Sequence, residues 1–202
     1  MLVNKKVTAV IGTYRKGGTT DSVVNEILDA AEENGAEINR IYLIDKRIEF
    51  CTNCRTCTQT EGSARGVCVH NDDMNDILDE IDCADALVFA APVNVFNVTA
   101  VMRRFMERLI CYSYWPWGKH GGPSFRLAGG RRPAVLVTSS AMPGSMARLF
   151  TGALRALRVT AKTVGAKPVT SIVVGLAASN EMQPLPEKIV RKSRRIGAWL
   201  AS

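Results

Sequence analysis

Short apolar runs alternate with amphipathic stretches along the whole chain. Residues 7–11 form a β-branched run closed by Gly12. Residues 22–34 carry Val23, Ile27, Ala30 and Ala31 at helical spacing. A second strand is predicted over 38–44. A helix over 72–82 follows, with Met74, Ile77, Leu78 and Ile81 on one face. Residues 86–91 are apolar throughout, the mark of a strand buried on both sides. The pattern then predicts a helix over 99–110, a strand over 134–139, one long helix over 146–164, a strand over 169–174 and a closing helix over 187–200. Such alternation builds a parallel sheet covered by helices on both faces. With right-handed crossovers, the five strands fit a doubly wound sheet of order 2-1-3-4-5. The 202 residues make one domain, with no internal repeat or linker. Two connections are too long to be simple turns: 45–71, and 111–132 with Tyr114, Trp115, Pro116 and Trp117.

Composition narrows the class. Hydrophobic residues are 47% and charged residues 22%, which is ordinary for a globular chain. No apolar window reaches the roughly eighteen residues of a membrane span. Lys5 and Lys6 precede the first apolar run as in a leader, but the run stops in a polar, glycine-rich loop without a small-residue cleavage site. A buried first strand is therefore expected, in a cytoplasmic protein. The net charge is +7, partly in Arg191, Lys192, Arg194 and Arg195. That cluster reads as a solvated helix face or as a landing surface for an acidic partner. It carries no nucleic-acid motif and no interleaved aromatics, so no nucleic-acid partner is expected.

The first strand runs into Gly12-Thr13-Tyr14-Arg15-Lys16-Gly17-Gly18-Thr19-Thr20 and then a helix. A glycine-rich strand-to-helix turn presents backbone N–H groups and a positive helix end to an anion. Thr13, Thr19 and Thr20 add hydroxyls, and Arg15 adds a fork. The alternative is a plain turn with Thr20 or Asp21 as helix cap. Neither the Walker spacing nor G-x-G-x-x-G is present. The loop is similar to the Gly-Ser-x-Arg-x-Gly-x-Asn-Thr loop of the NAD(P)H-dependent FMN reductases and iron–sulfur flavoproteins. The resemblance implies a flavodoxin-like fold and assigns FMN-phosphate binding to Thr13, Arg15, Gly17, Gly18, Thr19 and Thr20.

Two further loops carry the same resemblance. Ala91-Pro92-Val93-Asn94-Val95-Phe96-Asn97, followed by a helix ending Met106-Glu107-Arg108, is similar to the family's Ala-Pro-Val-Tyr segment and its Asp-Arg helix. There the residues after the proline wrap the isoalloxazine edge, which implicates Pro92, Val93, Asn94, Val95, Phe96 and Asn97. Asn94 stands where the family has an aromatic, so Phe96 or a tryptophan of the long loop is the alternative ring; simple core packing is the other reading of Phe96. Thr138, Ser139 and Ser140 end the fourth strand, where the family's loop lies beside the flavin. Three such loops at strand carboxyl ends would share one crevice.

Of six cysteines, Cys51, Cys54, Cys57 and Cys68 fall within eighteen residues, spaced x2, x2 and x10. In an intracellular chain such a cluster reads as metal or Fe–S ligation rather than a disulfide framework. Compact triples suit corners of a cubane; free thiols and a four-thiolate zinc site are the alternatives. The arrangement resembles the iron–sulfur flavoprotein motif and implies a [4Fe-4S] cluster exchanging electrons with FMN. The polar segment Gln59 to Gly66, which contains two glycines, is expected to be a looped-out insertion. Cys83 and Cys111 read as buried hydrophobes, His70 and His120 as exposed or capping residues, and Asp72 and Asp73 as helix caps. No acid–base constellation stands out. The resemblance implies a flavin-dependent oxidoreductase that exchanges electrons with a ferredoxin-like protein or NAD(P)H and assembles as a homodimer or homotetramer. The rivals are a cluster-free FMN or quinone reductase and a zinc-stabilised interaction module.

Overall fold

The computed structural model describes residues 4–62, 64–127, 130, 132–180 and 183–202. Ser63, Ala128, Gly129 and Arg131, within the two long connections, lie outside the described residues. The main elements are β1 (Lys6–Ile11), α1 (Thr19–Glu33), β2 (Glu37–Tyr42), α2 (Met74–Asp82), β3 (Ala86–Ala90), α3 (Ala100–Arg108), β4 (Ser113–Tyr114), β5 (Ser124–Phe125), β6 (Arg132–Ser139), α4 (Gly144–Phe150), α5 (Ala153–Thr163), β7 (Ala166–Val174) and α6 (Glu187–Ala201). Five strands form one parallel sheet in the order β2-β1-β3-β6-β7, the expected doubly wound arrangement.

Strand alternation sorts the core into two layers. Val7, Ala9 and Ile11 of β1 join Val88, Val135 and Val137 beneath α1 and α6. Val10, Leu87, Phe89 and Leu136 point the other way, against Met74, Ile77, Phe105 and Leu157 of α2, α3 and α5. The five residues of β3 are all buried, which explains their unbroken apolar run. Of the basic residues on α6, Arg194 pairs with Glu26 and Glu33 of α1, and Arg191 with Glu187 one turn away.

Three expectations need correction. The helix predicted over 146–164 is two helices. Thr151 is extended, and the Gly152 N–H bonds Phe96 O at 2.7 Å, so the chain turns to meet the loop after β3. Second, Cys83 is exposed, because it follows the last turn of α2 and lies off the stripe of Met74, Ile77, Leu78 and Ile81; Cys111 is buried as expected. Third, His70 is half-buried, with a buried Nε2.

Candidate functional site

The carboxyl ends of β1, β3 and β6 stay in hydrogen-bonded step beyond the strands themselves. Gly12 N–H donates to Ala90 O at 2.7 Å, Ala91 N–H to Val137 O at 3.1 Å and Val93 N–H to Ser139 O at 2.7 Å. The three loops therefore leave the sheet side by side. Two side-chain bonds lock them: the Thr20 and Ser139 hydroxyls meet at 2.7 Å in a buried contact, and the Thr99 hydroxyl, N-cap of α3, donates to Gly12 O at 2.5 Å. The three loops therefore meet at the switch point of the sheet, the place where open α/β folds form a ligand crevice.

In the first loop, Gly17 sits at φ +78°, a conformation suited to glycine. Its N–H donates to Asp21 Oδ2 at 2.7 Å. Gly18, extended, is the N-cap of the fifteen-residue α1 and has no side chain to cap it, so the first-turn amides remain available to an anion. Neither Thr20 nor Asp21 is the cap. Asp21 reaches back from the first turn to organise the loop, a role the sequence reading missed. Burial first, and then the Asp21 carboxylate, push the Tyr42 hydroxyl up to about 12. Lys16 lies 4.8 Å above the Tyr42 ring and pairs with Asp45 at 2.6 Å. Thr13 is buried, and its hydroxyl accepts the Arg15 N–H at 3.2 Å, shaping the turn. Arg15 is exposed and Thr19 half-buried.

The second loop turns on Asn94 and Asn97, whose backbones exchange bonds of 2.7 and 3.0 Å. Between them Val95 and Phe96 both have positive φ, +45° and +60°. A β-branched residue there is strained, and such strain concentrates at ligand sites. Both side chains are largely exposed, so Phe96 does not serve the core. Pro92 and Val93 are half-buried. In the third loop Ser139 faces α1, while Thr138 faces the opposite layer with a buried Oγ1 that has no protein partner. Ser140 is buried and its hydroxyl accepts the Met142 N–H at 3.2 Å.

The cysteines form a second centre. Cys51, Cys54, Cys57 and Cys68 line one cavity with Thr52, Asn53, Arg55, His70, Arg108 and Ile110. The chain wraps it with two left-handed residues, Asn53 and Arg55, on either side of Cys54. The insertion after Cys57 loops out and returns through Gly66. A Cβ there would stand 1.7 Å from Cys57 O, so only glycine lets the return strand pass and bring Cys68 to the cavity. Arg65 anchors the loop to Asp79 and Asp82 of α2. Burial, and then the thiols of Cys68, Cys51 and Cys54, push Cys57 up to about 11. The Thr56 hydroxyl donates to Cys54 Sγ at 3.5 Å and, with the Thr56 amide, holds that thiol below its ordinary value. Among the described residues, no three His, Cys, Asp or Glu side chains are assembled around a single-ion position. Soft thiolates select Fe–S clusters, zinc or copper(I), so the donor chemistry fits a cluster.

The aromatic connection belongs to this centre. Arg55 is stacked between Trp115 and Trp117, at 3.7 and 4.1 Å from the ring centres. Its Nη2 donates to Trp115 O at 2.6 Å, and Trp115 N–H donates to Thr58 O at 2.9 Å. The two tryptophans thus clamp the cysteine loop. Asp72 and Arg108 form a buried pair at 2.6 Å beside Cys68. Burial alone would raise the Asp72 carboxyl; the Arg108 guanidinium and the amides of Glu49 and Met74 outweigh it and hold it below the ordinary carboxylate value. Asp72 caps the Met74 amide as expected, at 3.1 Å, but its main partner is Arg108. The sequence held one sign of this: Arg108 continues the buried stripe of Val101 and Phe105 on α3, where a charge requires a partner.

This architecture defines a flavodoxin-like α/β protein whose first helix presents an uncapped N-terminus beside the three loops. Residues 5–181 match the sequence profile of the NADPH-dependent FMN reductase family, and the chain belongs to that family. It is 34% identical over 130 residues to an iron–sulfur flavoprotein of Archaeoglobus fulgidus, a match covering 63% of this chain and 57% of the relative. The chain spans about half the length of the curated relatives it matches. Its fold is similar to that of an FMN-dependent NADH-azoreductase from Bacillus anthracis solved with FMN, with TM-score 0.71, 13% identity and coverage of 98% of this chain and 100% of that one. It is also similar to an NAD(P)H:quinone oxidoreductase from Methanothermobacter marburgensis, with TM-score 0.68, 18% identity and coverage of 97% and 98%. No helix among the described residues is long and apolar enough to cross a membrane.

Proposed function

We propose that the chain is a flavin-dependent oxidoreductase that holds FMN in the crevice and a [4Fe-4S] cluster on Cys51, Cys54, Cys57 and Cys68. The observation that carries the reading is that four thiols separated by x2, x2 and x10 line one cavity on a fold whose three strand-end loops are hydrogen-bonded together beside the N-terminus of α1. FMN, when bound, supplies two-electron and one-electron redox chemistry, and a cluster supplies one-electron exchange.

The chain's residues bind and position. The first-turn amides of Thr19 and Thr20, the Thr19 hydroxyl and Arg15 hold the phosphate, while Thr13, Gly17, Gly18 and Thr20 shape the loop around it. The backbone of Pro92 to Asn97 borders the isoalloxazine edge, with Val95 and Phe96 held outward by the left-handed turn. Ser139 and Ser140 close the far side, and Thr138, at the end of the same strand, is buried beneath them. Met146, Leu149 and Phe150 of α4, with Val95, Phe96 and Leu176, leave a run of exposed apolar side chains on the loops at this edge. Such a surface favours a homodimer or homotetramer. The basic surface of α6 suits an acidic ferredoxin-like donor, and NAD(P)H is the alternative donor. Six free cysteines suit the cytoplasm.

Anaerobic purification with quantification of flavin, iron and acid-labile sulfide tests this. One FMN with about four iron and four sulfide per chain is expected. Flavin without iron leaves the cluster-free FMN or quinone reductase. Protein that neither contains FMN nor takes it up overturns the reading.

A further inference from the structure

We propose that Arg108, steered by Asp72, sets the reduction potential of the group held by the four cysteines, as a positioning and charge-supplying residue. This inference rests on the cluster reading above.

The guanidinium is fixed at every donor that matters. Nη1 donates to Asp72 Oδ2 at 2.6 Å and to Glu49 O at 2.8 Å. Nη2 donates to Asp72 Oδ1 at 3.2 Å and to Cys68 Sγ at 3.4 Å. One N–H of each Nη meets the carboxylate; the second N–H of Nη1 meets the Glu49 carbonyl and the second of Nη2 is aimed at the Cys68 sulfur. Asp72 is itself held by the Glu49 amide at 2.7 Å and the Met74 amide at 3.1 Å. Both side chains are almost wholly buried, 2% and 0% exposed. A lysine could supply charge but not this two-sided geometry.

A buried ion pair is weak evidence for stability, since apolar replacement is often neutral or better. Placed against a thiolate set, the same pair has a clear electrostatic effect. A positive charge and an N–H···S bond favour the more electron-rich state of sulfur-ligated iron and so raise its potential. The Asp72 carboxylate opposes part of that field. Arg55, the other arginine at the cavity, directs Nη2 to the carbonyls of Trp115 and Pro116 instead. The two members of the pair therefore act on the potential with opposite signs, which a purely structural role does not predict.

The test uses the whole protein, purified anaerobically, with iron and sulfide measured first and the cluster midpoint then read by EPR-monitored redox titration. Arg108→Gln should make reduction at least tenfold less favourable, 59 mV downward for a one-electron couple. Asp72→Asn should move the midpoint upward, and Arg108→Lys, which keeps the charge but not the fork, should recover only part of the loss in Arg108→Gln. Shifts of the same sign in Arg108→Gln and Asp72→Asn, or no shift in either, overturn the proposal. Should both substitutions cost the chain its cluster, the unsubstituted protein decides. With arginine labelled by nitrogen-15, pulsed EPR of the reduced protein should reveal an arginine nitrogen coupled to the cluster, and its absence overturns the proposal. Unsubstituted protein lacking iron and sulfide fails the cluster reading instead, a result separate from any of these.

Discussion

Where the three loops meet, Gly12, Ala91 and Val93 bond through their backbones to the neighbouring strand ends, and short side chains within or between the loops, such as Thr20 with Ser139, Thr99, Asp21 and Thr13, add the rest. Around the cysteines the reverse holds. Arg55 is clamped by two tryptophans, Arg65 is tied to two aspartates, and Arg108 is buried against Asp72. The first region inherits its shape from sheet register, which tolerates changes of side chain. The second lies outside the sheet and is tied to α2 and α3 chiefly through the long side chains of Arg65 and Arg108, so its shape depends more on individual side chains. Single substitutions should therefore hurt the cysteine region more than the crevice.

The largest effect is expected from Arg108→Ala. It leaves Asp72 charged and buried without its partner, at a cost of about 3–5 kcal/mol in urea unfolding, while FMN binding changes little. Acid sharpens the result. The Asp72 carboxyl is depressed in the folded chain, so its contribution is complete above the unfolded value, about pH 4, and fades as pH falls through the folded value. The gap between wild type and Arg108→Ala should thus narrow below about pH 4 and stay constant at neutral pH; a constant gap throughout would refute the pairing as its source.

Gly66→Ala comes next. The added Cβ meets the Cys57 carbonyl, so the return strand must shift, at about 1–3 kcal/mol. Iron per flavin should fall while flavin per chain holds. Equal loss of both would mean the two regions are not independent. Thr20→Val removes the buried hydroxyl contact with Ser139 and should cost about 1 kcal/mol of stability. Its FMN dissociation constant, read by fluorescence titration, should rise about tenfold, with iron content unchanged. Smallest is Val95→Gly, which relieves a left-handed valine and should raise the unfolding free energy by up to about 1 kcal/mol; a clear loss of stability would argue that the turn is not strained.

Much of the scaffold was legible from local pattern. The stripe Met74, Ile77, Leu78 and Ile81 and the apolar run of β3 each announce their element, because the period of burial is written in neighbouring residues. The three loops were legible for the same reason, since strand ends and glycines mark them. Apart from Cys83, whose exposure the stripe of α2 already implied, what failed were predictions about residues whose state depends on distant partners. The helix over 146–164 breaks because Gly152 meets Phe96, far back in the chain. His70 faces the cysteine cavity rather than solvent, and the tryptophans of the long connection turn to Arg55 rather than standing free for the crevice.

The sequence by itself determined the five strands of the main sheet and their order, the loops that meet at the sheet edge and the four thiols with their spacing, because periodicity, turn chemistry and spacing are properties of short segments. Only the tertiary structure decided that Asp72 answers Arg108 across 36 positions, that Arg108 reaches Cys68, and that Gly66 lets the insertion close. Those contacts join segments that share no local signal, and they exist because burying a charge or passing two backbones at close range is possible only when a specific partner, or the absence of a side chain, is already in place.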